Sequence, residues 1–221
     1  MKKILSRIGA VVIFACLFLF MSAFVNRSNT SLNVAQNGAG AGIFGRSTDI
    51  GGMKLHGTVK YDGSTYTLTG GGMNVWGSLD QHTFLWNMVT GDFSLTTKVD
   101  FEGVNPIHRK VGIMVRDELT GNSRCVHVDF HGDLRTSLQY RSEVDGSTRE
   151  IVAPENGNYM TLERVGNKFI MRSATNAKPT VVTAEVEMDL PATVYVGLFI
   201  CSHEADVLET GYFTNVEFKK L

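Results

Sequence analysis

The stretch FSLTTKVDFE, residues 93–102, constrains what this chain can fold into more than any other segment. Phe93, Leu95, Thr97, Val99 and Phe101 fall on one side of it, with Ser94, Thr96, Lys98, Asp100 and Glu102 on the other. A period of two belongs to a β-strand with one dry face and one wet face. The same alternation returns in CVHVDFHG, where Val126, Val128 and Phe130 oppose His127, Asp129 and His131. KVGIMVR (110–116) and VYVGLFIC (194–201) are apolar on both faces, as central strands covered on both sides are. Turn signals such as YDGS, LTGN, HGD, VDGS and RVGN punctuate these runs. No segment after residue 30 carries a 3.6-residue apolar period with caps. The pattern predicts an all-β chain of about a dozen strands, a two-sheet antiparallel β-sandwich long enough to bury a full core.

The amino terminus follows other rules. Lys2, Lys3 and Arg7 precede Ile8 to Val25, a run without a charged residue. A basic start and a membrane-competent apolar segment predict an N-terminal apolar helix over residues 1–25, either a signal peptide or a membrane anchor. Met21-Ser22-Ala23 offers only one small residue at the two positions a signal peptidase reads, so both alternatives stay open. The positive-inside rule puts the rest of the chain outside the cytoplasm: periplasmic, at the cell surface or secreted. The run holds no ionisable residue to couple to a proton gradient, so an uncleaved segment would be a passive anchor. Residues 26–52, rich in Asn, Ser, Gly and Ala, read as a flexible linker, and 53–221 as the sandwich domain. A formal net charge of −1, with no long run of like charge, argues against nucleic acid as a partner. Cys125 and Cys201 read as separate buried thiols, with a disulfide as the alternative.

Several motifs in order carry a resemblance. NVWGSLDQHTFLWNMVTGDFSLTTKV, HRKVGIMVRDEL, LERVGNKFIM, ATVYVGLFICSH and GYFTNVEF together resemble a concanavalin A-like jelly-roll module of secreted bacterial proteins, related to the domain appended to β-xylosidases. The likeness covers residues 57–218 and departs from the family pattern after Asp80, where His82-Thr83 stands in place of a Phe-His pair. It implies a β-sandwich whose relatives bind or process carbohydrate, most copies being accessory modules without chemistry of their own.

Within GGGMNVWGSLDQHTFLWNM (70–88), Phe84, Trp86 and Met88 share a parity and read as an inward row. Trp76, beside glycines at a strand end, reads as a rim residue able to stack on a sugar face. The polar row His127, Asp129, His131 meets Arg135, Ser137, Gln139 and Arg141 if the two strands form a hairpin, with Arg116 on their flank. Such a row of fixed donors and acceptors suits sugar hydroxyls, and a merely solvated sheet face is the bland alternative. The expected glycan contacts are therefore Trp76, Arg116, His127, Asp129, Gln139 and Arg141, and the partner a glycan or another cell-envelope component.

Other chemistry finds less support. Same-side neighbours on a strand stand about 6.6 Å apart, so His127, Asp129 and His131 cannot all reach one zinc ion. Loop acids such as Asp62 or Asp80 are available to a structural calcium ion, but no spaced calcium signature accompanies them. No cofactor motif appears, and LTGGGMN reads as a turn rather than a phosphate loop. Glu185, Glu187 and Asp189 alternate as on an exposed edge strand, which leaves Asp129 with Glu163 as the one carboxylate pair for a glycoside hydrolase. The expectation is an exported non-catalytic module that binds carbohydrate or an envelope partner. The alternatives are a glycoside hydrolase or its accessory domain, and a passive single-span scaffold.

Overall fold

The computed structural model describes residues 36–39, 41–104 and 106–221. The apolar helix, signal peptide or anchor expected over residues 1–25 lies outside the described residues. Among the described residues no helix is long and apolar enough to cross a membrane.

Two antiparallel sheets make the sandwich. One sheet has eight strands in the spatial order β1 (Gln36–Ala39), β2 (Arg46–Ile50), β7 (His82–Thr90), β16 (Thr193–Cys201), β9 (Lys110–Arg116), β10 (Cys125–His131), β11 (Thr136–Arg141) and β12 (Arg149–Val152). The other has seven: β15 (Val182–Glu187), β14 (Lys168–Ala174), β13 (Tyr159–Val165), β8 (Phe93–Phe101), β17 (Glu204–Lys220), β4 (Tyr66–Gly72) and β3 (Thr58–Tyr61). A separate hairpin pairs β5 (Val75–Trp76) with β6 (Leu79–Asp80). The architecture is an all-β two-sheet antiparallel sandwich.

The period-two pattern explains which side chains meet. Phe93, Leu95 and Val99 of β8 turn inward and pack with Val126, Val128, Ile113 and Leu198 from the facing sheet. Each fully buried aromatic or aliphatic side chain contributes roughly 1.5–3 kcal/mol by leaving water. The two strands apolar on both faces, β9 and β16, are adjacent near the middle of the larger sheet, where both faces are covered. On the far side of that sheet lies a second apolar cluster, with Ile50, Val75, Phe84, Trp86, Met114, Phe199 and Cys201. Trp86 is thus core, but in this second cluster, and its indole Nε1 donates to Thr48 Oγ1 at 3.1 Å. Met88, expected inward on the same parity, is exposed because β7 runs past the end of the cover.

Two boundaries differ from the sequence reading. Strand β2 starts at Arg46, inside the stretch read as linker, and pairs along β7 from Arg46↔Trp86 to Ile50↔His82. Five residues after a glycine-rich run are too few to display a period. The glycines of LTGGGMN are not a turn either: Gly70–Gly72 end strand β4. A Cβ at Gly70 would stand 2.6 Å from Thr83 Oγ1 and 2.7 Å from Ile200 Cγ2, so glycine allows the sheets to approach there.

Candidate functional site

The β5–β6 hairpin positions everything that follows. Gly77, with φ +64°, supplies the backbone conformation of the two-residue Gly77-Ser78 turn. The hairpin lies over the outer face of the eight-stranded sheet. Val75 is driven into the second apolar cluster, whereas Trp76 stays 42% exposed.

Asp80, at the far end of the hairpin, is clamped. Arg116 Nη1 donates to its Oδ2 at 2.7 Å, while Arg141 donates to Oδ2 at 3.0 Å through Nη1 and to Oδ1 at 2.5 Å through Nη2. All three side chains are fully buried. Burial pushes the Asp80 carboxyl up, but Arg116 and then Arg141 outweigh it and hold it at about 2. The guanidiniums spend their remaining donors on backbone carbonyls, Arg116 on Glu118 and Thr120, Arg141 on Gly77, Gly121 and Ser123. Nothing in this clamp is left to hold a ligand. Asp80 therefore has no oxygen to offer a calcium ion, while Asp62, on an exposed turn, accepts from Ser64 N at 2.9 Å and Thr65 N at 2.8 Å through Oδ1.

The polar rows of β10 and β11 do meet as a hairpin, with His127↔Gln139 and Asp129↔Ser137 in register. They do not form the open groove that alternation suggested. Asp129 accepts from Ser137 Oγ at 2.6 Å and lies 3.3 Å from both His127 Nδ1 and His131 Nε2. His127 is fully buried, edge-on to Phe199, and burial pushes its imidazole below the usual range. His82, pressed between Phe84 and Phe199, is driven well below 6.5 by burial and then by the charge of Arg116. Among the described residues neither nitrogen of His82 has a hydrogen-bond partner.

Arg116, His127, Asp129, Gln139 and Arg141, five of the six expected glycan contacts, thus have no exposed surface. They hold the hairpin and the buried polar layer, and sugar hydroxyls cannot reach them in this conformation. The carboxylate pair expected of a hydrolase is also not assembled. Asp129 lies in this buried layer, while Glu163 is on the outer face of the opposite sheet, 3.8 Å from Arg172 Nη2. The whole main core separates them. Glu185 and Glu187 are exposed on β15, the edge of the seven-stranded sheet.

What remains open is a cavity of about 310 Å³ where the polar layer reaches the surface. Trp76 stands at its mouth, and Gln139 lies behind its wall with no exposed surface, so of the expected contacts Trp76 is the one a ligand reaches. Lys110 Nζ lies 5.5 Å from the Trp76 ring centroid and donates to Gln139 Oε1 at 3.1 Å. Gln139 Nε2 donates to Glu150 Oε1 at 2.8 Å. His108 and His203, with ring centroids 5.1 Å apart, close another side, and Asn74 Nδ2 is 3.2 Å from His203 Nε2. Burial and the neighbouring His108 push the His203 imidazole down. Sequence reading missed Lys110, His108, Glu150 and His203 as site residues because three of them come from loops or a short edge strand. Only Lys110, the polar residue opening an otherwise apolar strand, left a trace. A larger depression of about 720 Å³ lies elsewhere, between Ile43, Met88, Val216 and Phe218, and offers few fixed polar groups. Among the described residues no three His, Cys, Asp or Glu are grouped to hold a metal ion.

Comparison with known proteins gives the fold. No protein-family model matches the chain, and no curated protein matches its sequence. A functionally unknown protein from Saccharomyces cerevisiae superposes with a TM-score of 0.62 at 14% identity, over 79% of this chain and 96% of its own. The legume lectin-like domain from Entamoeba histolytica matches with a TM-score of 0.47 at 11% identity, over 79% of this chain and 90% of that one. The carbohydrate binding module CBM66 from Bacillus subtilis matches with a TM-score of 0.42 at 12% identity, over 85% and 98%. At these identities the likeness is one of fold.

Proposed function

We propose that this chain is an exported, non-catalytic β-sandwich module that binds carbohydrate in the Trp76 cavity. The observation that carries the reading is the pairing of a partly exposed indole with a fixed polar wall. Trp76 gives a pyranose ring a flat apolar face, while the partly exposed Asn74, Arg135 and Glu150 supply donors and acceptors beside it. A neutral or acidic sugar needs both: stacking for its C–H face and oriented groups for its hydroxyls. The basic, apolar amino terminus supports placement outside the cytoplasm, as a secreted or inner-membrane-anchored protein. The order of motifs supports a relation to the module appended to β-xylosidases.

The test is a glycan array probed with the full chain and with Trp76→Ala. Binding that is lost in the variant is the expected result; a folded chain that binds no glycan overturns the reading. A protein-binding scaffold is the second reading, and the depression bordered by exposed Ile43 and Met88 favours it. In that case the array stays blank and Trp76→Ala changes nothing.

A further inference from the structure

The wall of the Trp76 cavity holds two cations, Lys110 and Arg135, and one carboxylate, Glu150. Lys110 is 3% exposed, and its ammonium donates to Val75 O at 2.7 Å, Gln139 Oε1 at 3.1 Å and Asn74 Oδ1 at 3.4 Å. All three acceptors are neutral, and among the described residues no carboxylate lies within 4 Å of the ammonium. Other buried cations are treated differently. Arg109 has Glu209 at 2.6 Å, and Arg116 and Arg141 share Asp80. Arg164 is capped by the carbonyls of Gly166, Leu190 and Pro191 and does not line this cavity. A buried charge ordinarily needs a counter-charge, and Lys110 sits where a ligand could bring one.

A second cation stands beside it. Arg135, on the turn between β10 and β11, lies 3.5 Å from Glu150 Oε2 through Nη1 and 3.2 Å from His131 Nδ1 through Nη2. Its Nε is buried without a partner among the described residues, and the side chain is 33% exposed, so the hydrogens a ligand can reach are those on Nη1 and Nη2. Glu150 is the only carboxylate on the cavity wall, and both its oxygens are already engaged, by Gln139 and by Arg135. The remaining titratable groups on the wall are imidazoles, which add no negative charge.

Resting on the reading of this cavity as a glycan site, we propose that it selects sugars bearing a carboxylate, that is, uronate residues. Trp76 stacks on the ring. Arg135 meets the carboxylate through its Nη hydrogens, since planar guanidinium and carboxylate groups match in geometry. Lys110, whose three hydrogens are spent, supplies field rather than a direct bond. A neutral glycan brings no charge to set against Lys110.

Matched ligands separate this inference from the glycan reading itself. Oligomers of mannuronate, guluronate, galacturonate and glucuronate, each alongside its methyl ester, are titrated into the full chain by calorimetry, with neutral glucan and fructan oligomers as further probes. At least one free acid should bind about tenfold or more tighter than its ester, the factor expected for one charge-assisted hydrogen bond. Arg135→Gln, at a partly exposed side chain, should bring acid and ester to near parity; Lys110→Met should do the same if it folds. Esters or neutral glycans binding as well as acids, with Trp76→Ala removing the binding, overturn the acid preference and leave the glycan site standing. Acid binding untouched by Arg135→Gln places the carboxylate elsewhere and overturns the assignment. No binding to acid, ester or neutral glycan overturns both.

Discussion

The two ends of one polar sheet face have opposite fates. At one end Asp80, Arg116 and Arg141 form a closed clamp in which both guanidiniums grip one carboxylate and most of their other donors meet backbone carbonyls. At the other, some of the same kinds of side chain surround an open cavity, where the buried Lys110 ammonium has only neutral partners and Arg135 is partly exposed. Residue type does not separate the ends. What separates them is the short β5–β6 hairpin, which buries Asp80 at one end and leaves Trp76 at a mouth at the other. Polar groups sealed under the hairpin hold structure; those at the cavity mouth are within reach of a ligand.

Removing the counter-charge should break the comparison most severely. Asp80→Asn leaves two buried guanidiniums facing a neutral amide and should destabilise the fold by about 3–5 kcal/mol, read from urea unfolding. A loss below about 1 kcal/mol would mean that the hairpin is held by Val75 and the apolar cluster instead.

Acidity probes the same layer more gently. The Asp80 carboxyl is held below its unfolded value of 3.8, so its contribution is present above that pH and is lost as pH falls through about 2. His82 acts over a higher range. Its folded value lies well below 6.5, so the unfolded chain takes up the proton first and stability declines as pH drops below 6.5. His82→Leu should flatten the decline between about pH 6.5 and 5 and cost little at neutral pH, because no hydrogen bond is lost. An unchanged pH profile in that variant would assign the acid sensitivity to other groups, His127 first.

The open end should respond in the reverse manner. Trp76→Ala should abolish glycan binding yet change stability by less than about 1 kcal/mol, since the indole is 42% exposed. A large stability loss would make Trp76 part of the clamp. The smallest effect concerns the thiols. Burial pushes Cys125 and Cys201 up to about 12, so both should resist thiol reagents in the folded chain and react only on unfolding. Rapid labelling of Cys125, which lies 3.9 Å from Asp80 Oδ2, would show the clamp opening in solution.

Much of this was legible in the residues. The alternation of β8 and β10 gave their inward faces, and the doubly apolar β9 and β16 gave the middle of the larger sheet, because burial repeats with the two-residue period of a strand. The pairing of His127 with Gln139 followed from the HGD turn between them. Alternation names two faces but does not say what covers each, so Arg116, His127, Asp129 and Arg141 read as a wet surface when they are a dry one. No period exists in four hairpin residues, and the loops that deliver His108 and His203 carry none either.

The sequence by itself therefore determined the class of fold and, where alternation is strict as in β8 and β10, which side of a strand meets the main core, since these depend on local periodicity and hydrophobic burial. Tertiary structure alone decided which polar residues are clamped and which are available. That choice depends on where Val75 and Asp80 dock, which is a balance of desolvation and ion pairing between segments far apart in the chain.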